Sequence, residues 1–348
     1  MDVTIFLLIA LAISFCGFRK QGGFGMDSSL CLRGVLVVLV IFHHLPMICP
    51  HLPESAYGWV TAYQVPCGRY CVALFFFMSG YGLMTQYARK GKDAMMQGYL
   101  TRRFTKLLLP LMVANLILYI QRGGDVTWQM VAENFRTGET MVRFAYFVEE
   151  LAMFYLLFWV AYRFFSKGTA LVLCFMGTLC MMAVFRGLDW NPRWWISSLA
   201  FPLGVATVYM EKRLVRFRLR YAAAAMALML LAATLPNFTG LDDLQYKLLR
   251  YPFLLVPLTC MIVYLLWPMV KVRTSKWAPL NFLGRISYEM YILQWLVMDW
   301  WNGGYLPPSD LLAILVAAAV GWCVWKFDSF VIPHILALLQ PKSKQAGV

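Results

Sequence analysis

The sequence predicts an all-α, polytopic integral membrane helix bundle of about ten or eleven transmembrane helices, with its N-terminus outside and its C-terminus inside. Hydrophobic residues make up 61% of the 348 residues and charged residues only 14%, whereas ordinary soluble domains carry roughly 25% charged residues. Thirteen Trp and eighteen Tyr supply side chains that favour membrane interfaces. The polar segments are all short, so residues 1–348 are predicted to form one membrane domain.

Apolar runs near the length that spans a bilayer, about 17 to 25 residues, define the predicted helices. The runs lie near 3–18, 34–50, 70–88, 107–121, 144–162, 169–185, 195–210, 221–236, 251–268, 286–302 and 310–326. Asp2 precedes the first apolar run, and the positively charged residues follow that run. This order favours an uncleaved helix over a secretory signal. Residues 1–25 are therefore predicted to be an extra N-terminal helix with a cytoplasmic linker, ahead of a core over 26–340.

The formal charge of +14 is explained by topology and not by nucleic-acid binding. When the predicted loops are assigned to alternating sides, 23 of the 31 Lys and Arg residues fall on one side. Such an excess is typical of cytoplasmic loops, so no nucleic-acid partner is expected. The nine Cys show no metal-ligand spacing, so no metal site is predicted.

One helix pairs a cation with an imidazole inside an apolar run. Arg33 lies near the cytoplasmic start of the segment 26–45, and His43 and His44 lie toward its outer end. Eleven residues at 100° each return His44 almost to the face of Arg33, about 16 Å further along the axis. This arrangement suits a long substrate with phosphates at one end and a reacting group at the other. The alternative is that the two His residues only cap a helix near the headgroups.

Three further segments place polar groups where a bilayer makes them costly. Residues 98–110 carry Arg102, Arg103 and Lys106, which suit phosphate oxygens or, alternatively, form an ordinary stop-transfer anchor. Adjacent Glu149 and Glu150 lie in 146–158 and would pair with a cation such as a His if buried, or face water if the span starts later. Residues 283–297 place Ser287, Tyr291 and Gln294 on one stripe, with Glu289 on another face, where it would pair with Arg285.

These segments together resemble the acyltransferase-3 family of polytopic membrane O-acyltransferases. The matching segments, in order, are SSLCLRGVLVVLVIFHHL with its Arg, ten residues and His, FFFMSGYGL over 75–83, YLTRRFTKLLLP, YFVEELAMFYLL and LGRISYEMYILQWLV. The resemblance covers residues 26–297. Two positions depart from the family pattern, since Lys106 stands where Arg is usual and Gln294 where His is common.

The resemblance implies a membrane acyltransferase that uses acyl-CoA, expected to be acetyl-CoA, from the cytoplasm, with no permanently bound cofactor. Arg33, Arg102, Arg103 and Lys106 would bind the donor phosphates, and His44 would be the general base on an acceptor hydroxyl. Glu149 or Glu150 would orient His44. The substrate cavity would be lined by the remaining candidates: His43, Ser79, Tyr81, Tyr291 and Gln294.

The expected acceptor is a glycan or related extracytoplasmic hydroxyl compound, and the expected location is a bacterial cytoplasmic membrane. A rival interpretation is a secondary transporter in which Arg33, His44 and Glu149 form a substrate and proton site. Transporters of this size often contain inverted repeats, and the sequence shows none clearly. The sequence does not indicate the oligomeric state.

Overall fold

A computed structural model describes residues 24–48, 58–121, 123–124, 127–234, 250–270, 278–304 and 310–339. Within these ranges the chain forms helices joined by loops, with no β-strand, as the sequence predicts. The predicted extra helix over 3–18 lies outside the described residues.

The described residues form thirteen α-helices. They are α1 Met26–Ile48, α2 Gly58–Lys90, α3 Lys92–Met96, α4 Tyr99–Gln121, α5 Trp128–Thr137, α6 Tyr146–Phe164, α7 Lys167–Gly187, α8 Ala200–Arg216, α9 Arg218–Thr234, α10 Val256–Leu266, α11 Ala278–Arg285, α12 Ser287–Asn302 and α13 Asp310–Leu339. A π-helical turn, Tyr251–Leu255, runs directly into α10, and short 3₁₀ turns occur at Pro192–Trp194 and Trp267–Met269.

Six segments of the described chain are long and apolar enough to cross a bilayer. They are Met26–His44, Cys67–Lys90, Lys92–Gln121, Lys167–Gly187, Tyr251–Met269 and Leu311–Leu339. Helices also occupy four other predicted spans, at α6, α8, α9 and α12, but these are shorter or more polar. The protein is therefore a multi-pass membrane protein, whereas a count of ten or eleven spans and the orientation of the termini stay predictions.

Glycines let two pairs of helices approach until their backbones touch. Gly34 on α1 and Gly284 on α11 each face the backbone of the other helix, and an added Cβ at either position would collide with a carbonyl oxygen. Gly80 on α2 and Gly204 on α8 form a second such contact. Close backbone approach through small residues is a common way for helices to pack in membranes. The first contact fixes α1 beside the segment that leads into α12.

The connection between α5 and α6 is anchored by tryptophans. Helix α5 is capped by Gly138, whose φ of 68° is the left-handed conformation that glycine adopts without strain. The indole of Trp194 donates to the Gly138 carbonyl at 2.6 Å, and that of Trp190 donates to the Arg136 carbonyl at 3.2 Å. These bonds fix the start of the loop that contains Phe144.

Candidate active site

A cavity of about 550 Å³ opens between α1, α2, α4, α6, α12 and α13, within the size range of small-molecule sites. Its polar lining groups are Arg33, Ser79, Gln86, Arg103, Lys106, Tyr155, Arg285, Ser287, Tyr288, Glu289, Tyr291, Asp328 and Ser329. Its apolar wall includes Phe75, Met78, Phe147, Leu151 and Trp325. Residues from all five segments that carry the family resemblance therefore line one cavity.

One end of the cavity is cationic. Arg33 enters it from α1, and Arg103 and Lys106 enter it from α4. The charges of Arg33 and Arg103 lie near enough to interact, and Arg103 also donates to the Gln86 amide oxygen at 2.9 Å. Two cations that face each other in a low-dielectric environment favour the binding of an anion between them. The cluster is chemically suited to phosphate.

Arg102 lies apart from this cluster. Its guanidinium donates to the Met95 carbonyl at 3.2 Å, and it does not line the cavity. The reason is helical periodicity, since Arg103 and Lys106 share a face of α4 at a spacing of three residues whereas Arg102 is rotated by about 100°. Its predicted part in phosphate binding has no geometric support in the structure.

His44 is buried at the opposite end of the α1 stripe, with only 7% of its surface exposed. Its Nδ1 atom is hydrogen-bonded to the Gln294 amide oxygen at 3.0 Å. Because an amide oxygen can only accept, this bond assigns the proton to Nδ1 and leaves the Nε2 lone pair as the acceptor. A hydrogen bond to one ring nitrogen thus sets the chemistry of the other.

The ring of Phe144 covers one face of His44. The two ring centroids are 3.8 Å apart and the planes differ by 8°. Phe144 has a φ of 69°, which is unusual for a residue with a side chain. Its carbonyl accepts a hydrogen bond from Tyr291 at 2.7 Å, and the preceding Arg143 forms an ion pair with Asp299 at 4.0 Å. Helix α12 thereby holds the strained residue against the imidazole.

The polar stripe on α12 connects the cavity with His44. Ser287 and Tyr291 line the cavity, and Gln294, one turn beyond Tyr291, contacts His44. The stripe predicted from the sequence therefore faces inward over its whole length. Tyr291 is the cavity residue of this stripe that precedes Gln294, whereas Gln294 and His44 do not line the cavity themselves.

The other predicted cavity residues have different surroundings. Ser79 lines the cavity, whereas Tyr81 donates to the Glu211 carboxylate on α8 at 2.8 Å and lies outside the cavity wall. The ring of His43 lies 4.8 Å from that of His44 and packs at Gly68, where a Cβ would collide with it. Tyr81 therefore joins α2 to α8 outside the cavity, and His43 lies at the α1–α2 interface.

The two adjacent glutamates face different environments. Glu150 is completely buried and accepts a hydrogen bond from Ser198 at 2.5 Å, whereas Glu149 is exposed. The hydrogen bond expected between one of these carboxylates and His44 is instead formed by Gln294. Consecutive residues on a helix diverge by about 100°, so the sequence could not show which of the two points inward.

The sequence interpretation missed two carboxylates that line the cavity. Glu289 was assigned to a separate face and to a pair with Arg285, but both residues line the cavity and no ion pair joins them in the described chain. Asp328 lies past the predicted end of the last span, at 326, yet α13 continues to Leu339. Its burial could be anticipated only by knowing that α13 packs on α12.

The fold and the site define a multi-pass membrane protein in which a cavity lined by cations lies on the same helices as a buried, hydrogen-bonded imidazole. A family model described as an acyltransferase domain, the acyltransferase-3 family, matches residues 27–327, and the chain belongs to that family. No curated protein and no solved structure matches the chain. Membership supports a membrane acyltransferase, and the transporter alternative receives no support.

Proposed function

We propose that the protein transfers a short acyl group, expected to be acetyl, from cytoplasmic acyl-CoA to a hydroxyl of a glycan or related extracytoplasmic acceptor, with His44 as the general base. The observation that carries this proposal is an arrangement along α1 and α12: Arg33, Arg103 and Lys106 line one cavity, and His44, which lies outside its wall, is hydrogen-bonded to Gln294 one turn beyond the cavity residue Tyr291.

The donor enters from the end that contains Arg33. This end is assigned to the cytoplasm because the loops on its side carry most of the Lys and Arg residues. Arg33, Arg103 and Lys106 would bind the phosphates of the donor. The separation of Arg33 and His44 along α1, about 16 Å at 1.5 Å per residue, leaves room for the extended arm that joins the phosphates to the thioester.

His44 would take the proton of the acceptor hydroxyl at its Nε2 atom. The hydroxyl oxygen then attacks the thioester carbonyl, the C–S bond breaks, and the thiolate leaving group receives the proton from the imidazolium. An imidazole is suited to both steps near neutral pH. Gln294 would act as a positioning residue, because its amide oxygen keeps the proton on Nδ1 throughout. This role would account for Gln294 at a position where the family commonly has His.

The length of α1 supports transfer across the bilayer. Arg33 and His44 are about 16 Å apart along this helix, so the donor and the acceptor would reach the reaction centre from opposite sides. A bacterial cytoplasmic membrane is the proposed location, since there the donor is available only inside and surface glycans only outside.

Mass spectrometry of surface glycans tests this proposal directly. Cells lacking the protein are compared with cells that express wild type, His44→Ala or Arg33→Ala at equal levels in the membrane. We expect an acyl mass that is present with wild type and lost with either variant. A variant that restores the full acyl content at a wild-type rate would contradict the proposed roles, and an unchanged set of glycans and metabolites without the protein would contradict the function.

A further inference from the structure

Two buried carboxylates face the donor cavity without a partner. Both oxygens of Asp328 and the Oε2 atom of Glu289 have no hydrogen-bond partner among the described residues, although the two residues are only 2% and 7% exposed. Burying a polar group without a hydrogen bond is costly, and an ionisable group in a bilayer is a functional candidate by default. These oxygens are therefore expected to be acceptors for a ligand.

The cations of the same cavity do not satisfy these carboxylates. Arg33, Arg103 and Arg285 line the cavity together with Glu289 and Asp328, yet no salt bridge joins the two sets in the described part of the chain. The carboxylates do lie near enough for their charges to interact with each other. The described cavity wall thus carries a pair of acidic residues, the acidic region, that is not ion-paired with its cations, which is the pattern expected for a ligand that carries both phosphates and N–H donors.

An aromatic surface lies beside the acidic region. Trp325 lines the cavity and precedes Asp328 by three residues on α13, so the two side chains share one helix face. Ser329 and Ile332 continue this face into the cavity wall. A flat ring beside paired acceptors can stack on a nucleobase while the carboxylates accept from its exocyclic amine.

We propose that Trp325, Glu289 and Asp328 form a subsite for the adenine base of the donor. This inference rests on the proposed function and deepens it, because it assigns residues to the recognition of one part of the donor. The protein would select an acyl thioester that carries an adenine nucleotide, and would discriminate against an acyl-phosphopantetheine group on a carrier protein, which has the same reactive arm and no base.

Donor analogues test the subsite without any mutation. Dissociation constants are measured for wild-type protein in lipid nanodiscs with acetyl-CoA and with its hypoxanthine analogue, in which a carbonyl oxygen replaces the 6-amino group. We expect acetyl-CoA to bind at least about tenfold more tightly, since the analogue would place an acceptor against two acceptors. Equal affinities would overturn the subsite and leave the proposed function intact. No measurable binding of acetyl-CoA would overturn both.

Variants then identify the residues responsible. Asp328→Asn supplies an amide donor, so the preference for adenine over hypoxanthine should shrink or reverse, and Glu289→Gln should weaken it. Trp325→Leu should weaken acetyl-CoA binding by about tenfold or more through lost stacking. Asp93→Asn, an exposed carboxylate outside this cavity, is the matched control and should keep the full preference. If all three cavity variants keep it as well, the assignment is wrong.

Binding of acetyl-phosphopantetheine separates a lost subsite from a misfolded protein. This probe has the thioester arm and no adenine, so the three variants should bind it as wild type does if only the base subsite is altered. A parallel loss of affinity for acetyl-phosphopantetheine and acetyl-CoA would show that the substitutions act on the whole cavity, and would overturn the proposed adenine contact.

Discussion

The Nδ1 atom of His44 and the amide oxygen of Gln294 are 3.0 Å apart, although 250 residues separate them in the chain. The contact joins the first and the last of the segments that resemble the family. It also explains how a neutral side chain serves at a position where the family often has His, because an amide oxygen can hold the imidazole tautomer without titrating itself.

Replacement of Gln294 by Leu should lower kcat by about tenfold or more, with little change in the KM for acetyl-CoA. The variant leaves the Nδ1 proton of His44 without its acceptor in a buried site, which costs about 1–3 kcal/mol. Steady-state transfer from radiolabelled acetyl-CoA to the membrane glycan fraction measures both constants.

A double-variant comparison shows whether Gln294 acts through His44. Adding Gln294→Leu to His44→Ala should cause no further loss of rate, because residues that act as one unit are not additive. A further tenfold loss in the His44→Ala background would mean that Gln294 acts on the substrate by itself.

Replacement of Phe144 by Ala should raise the hydrolysis of acetyl-CoA in the absence of acceptor. The stacked phenyl ring covers one face of His44, and its removal would admit water to the proposed general base and the thioester that it would face. Release of the CoA thiol without added acceptor measures this rate. Phe135→Ala is the matched control, since Phe135 is an exposed ring on α5 and lies outside the site. Equal rates for wild type and Phe144→Ala would refute the shielding role.

Helical periodicity made part of this site predictable. The spacing of Arg33 and His44, and that of Ser287, Tyr291 and Gln294, fixed the faces on which these residues lie, because the angle per residue is constant along a helix. The structure places both stripes toward the interior. These positions follow from local geometry, which a sequence contains.

Contacts between distant helices were not predictable in the same way. Nothing local distinguishes Glu149 from Glu150, and only packing against Ser198 shows that Glu150 is the inward residue. Asp328 entered the cavity through the α12–α13 contact, and the left-handed conformation of Phe144 depends on bonds from another helix. The orientation of Glu150, the burial of Asp328 and the conformation of Phe144 all depend on residues that are distant in the sequence.

Arg103 and Arg102 provide a matched pair for the donor site. Arg103→Ala should weaken acetyl-CoA binding by about 10- to 100-fold, the loss expected for a hydrogen bond to a charged phosphate. Arg102→Ala should change it by about twofold or less, since its guanidinium bonds to a backbone carbonyl outside the cavity. Isothermal titration of both variants in nanodiscs makes the comparison. Equal losses would indicate that the two residues contribute alike to donor binding, as the basic motif alone suggests.

Glu150 and Glu149 should differ in their effect on stability. Glu150→Ala removes the buried partner of the Ser198 hydroxyl and should destabilise the protein by about 1–3 kcal/mol, whereas Glu149→Ala at an exposed position should stay within about 0.5 kcal/mol. Thermal unfolding in one detergent gives the two shifts in Tm. Ser198→Ala should also lower Tm, and the double variant Glu150→Ala, Ser198→Ala should lose less than the sum of the two single losses. Additive losses would mean that the hydrogen bond between these two side chains contributes nothing to stability.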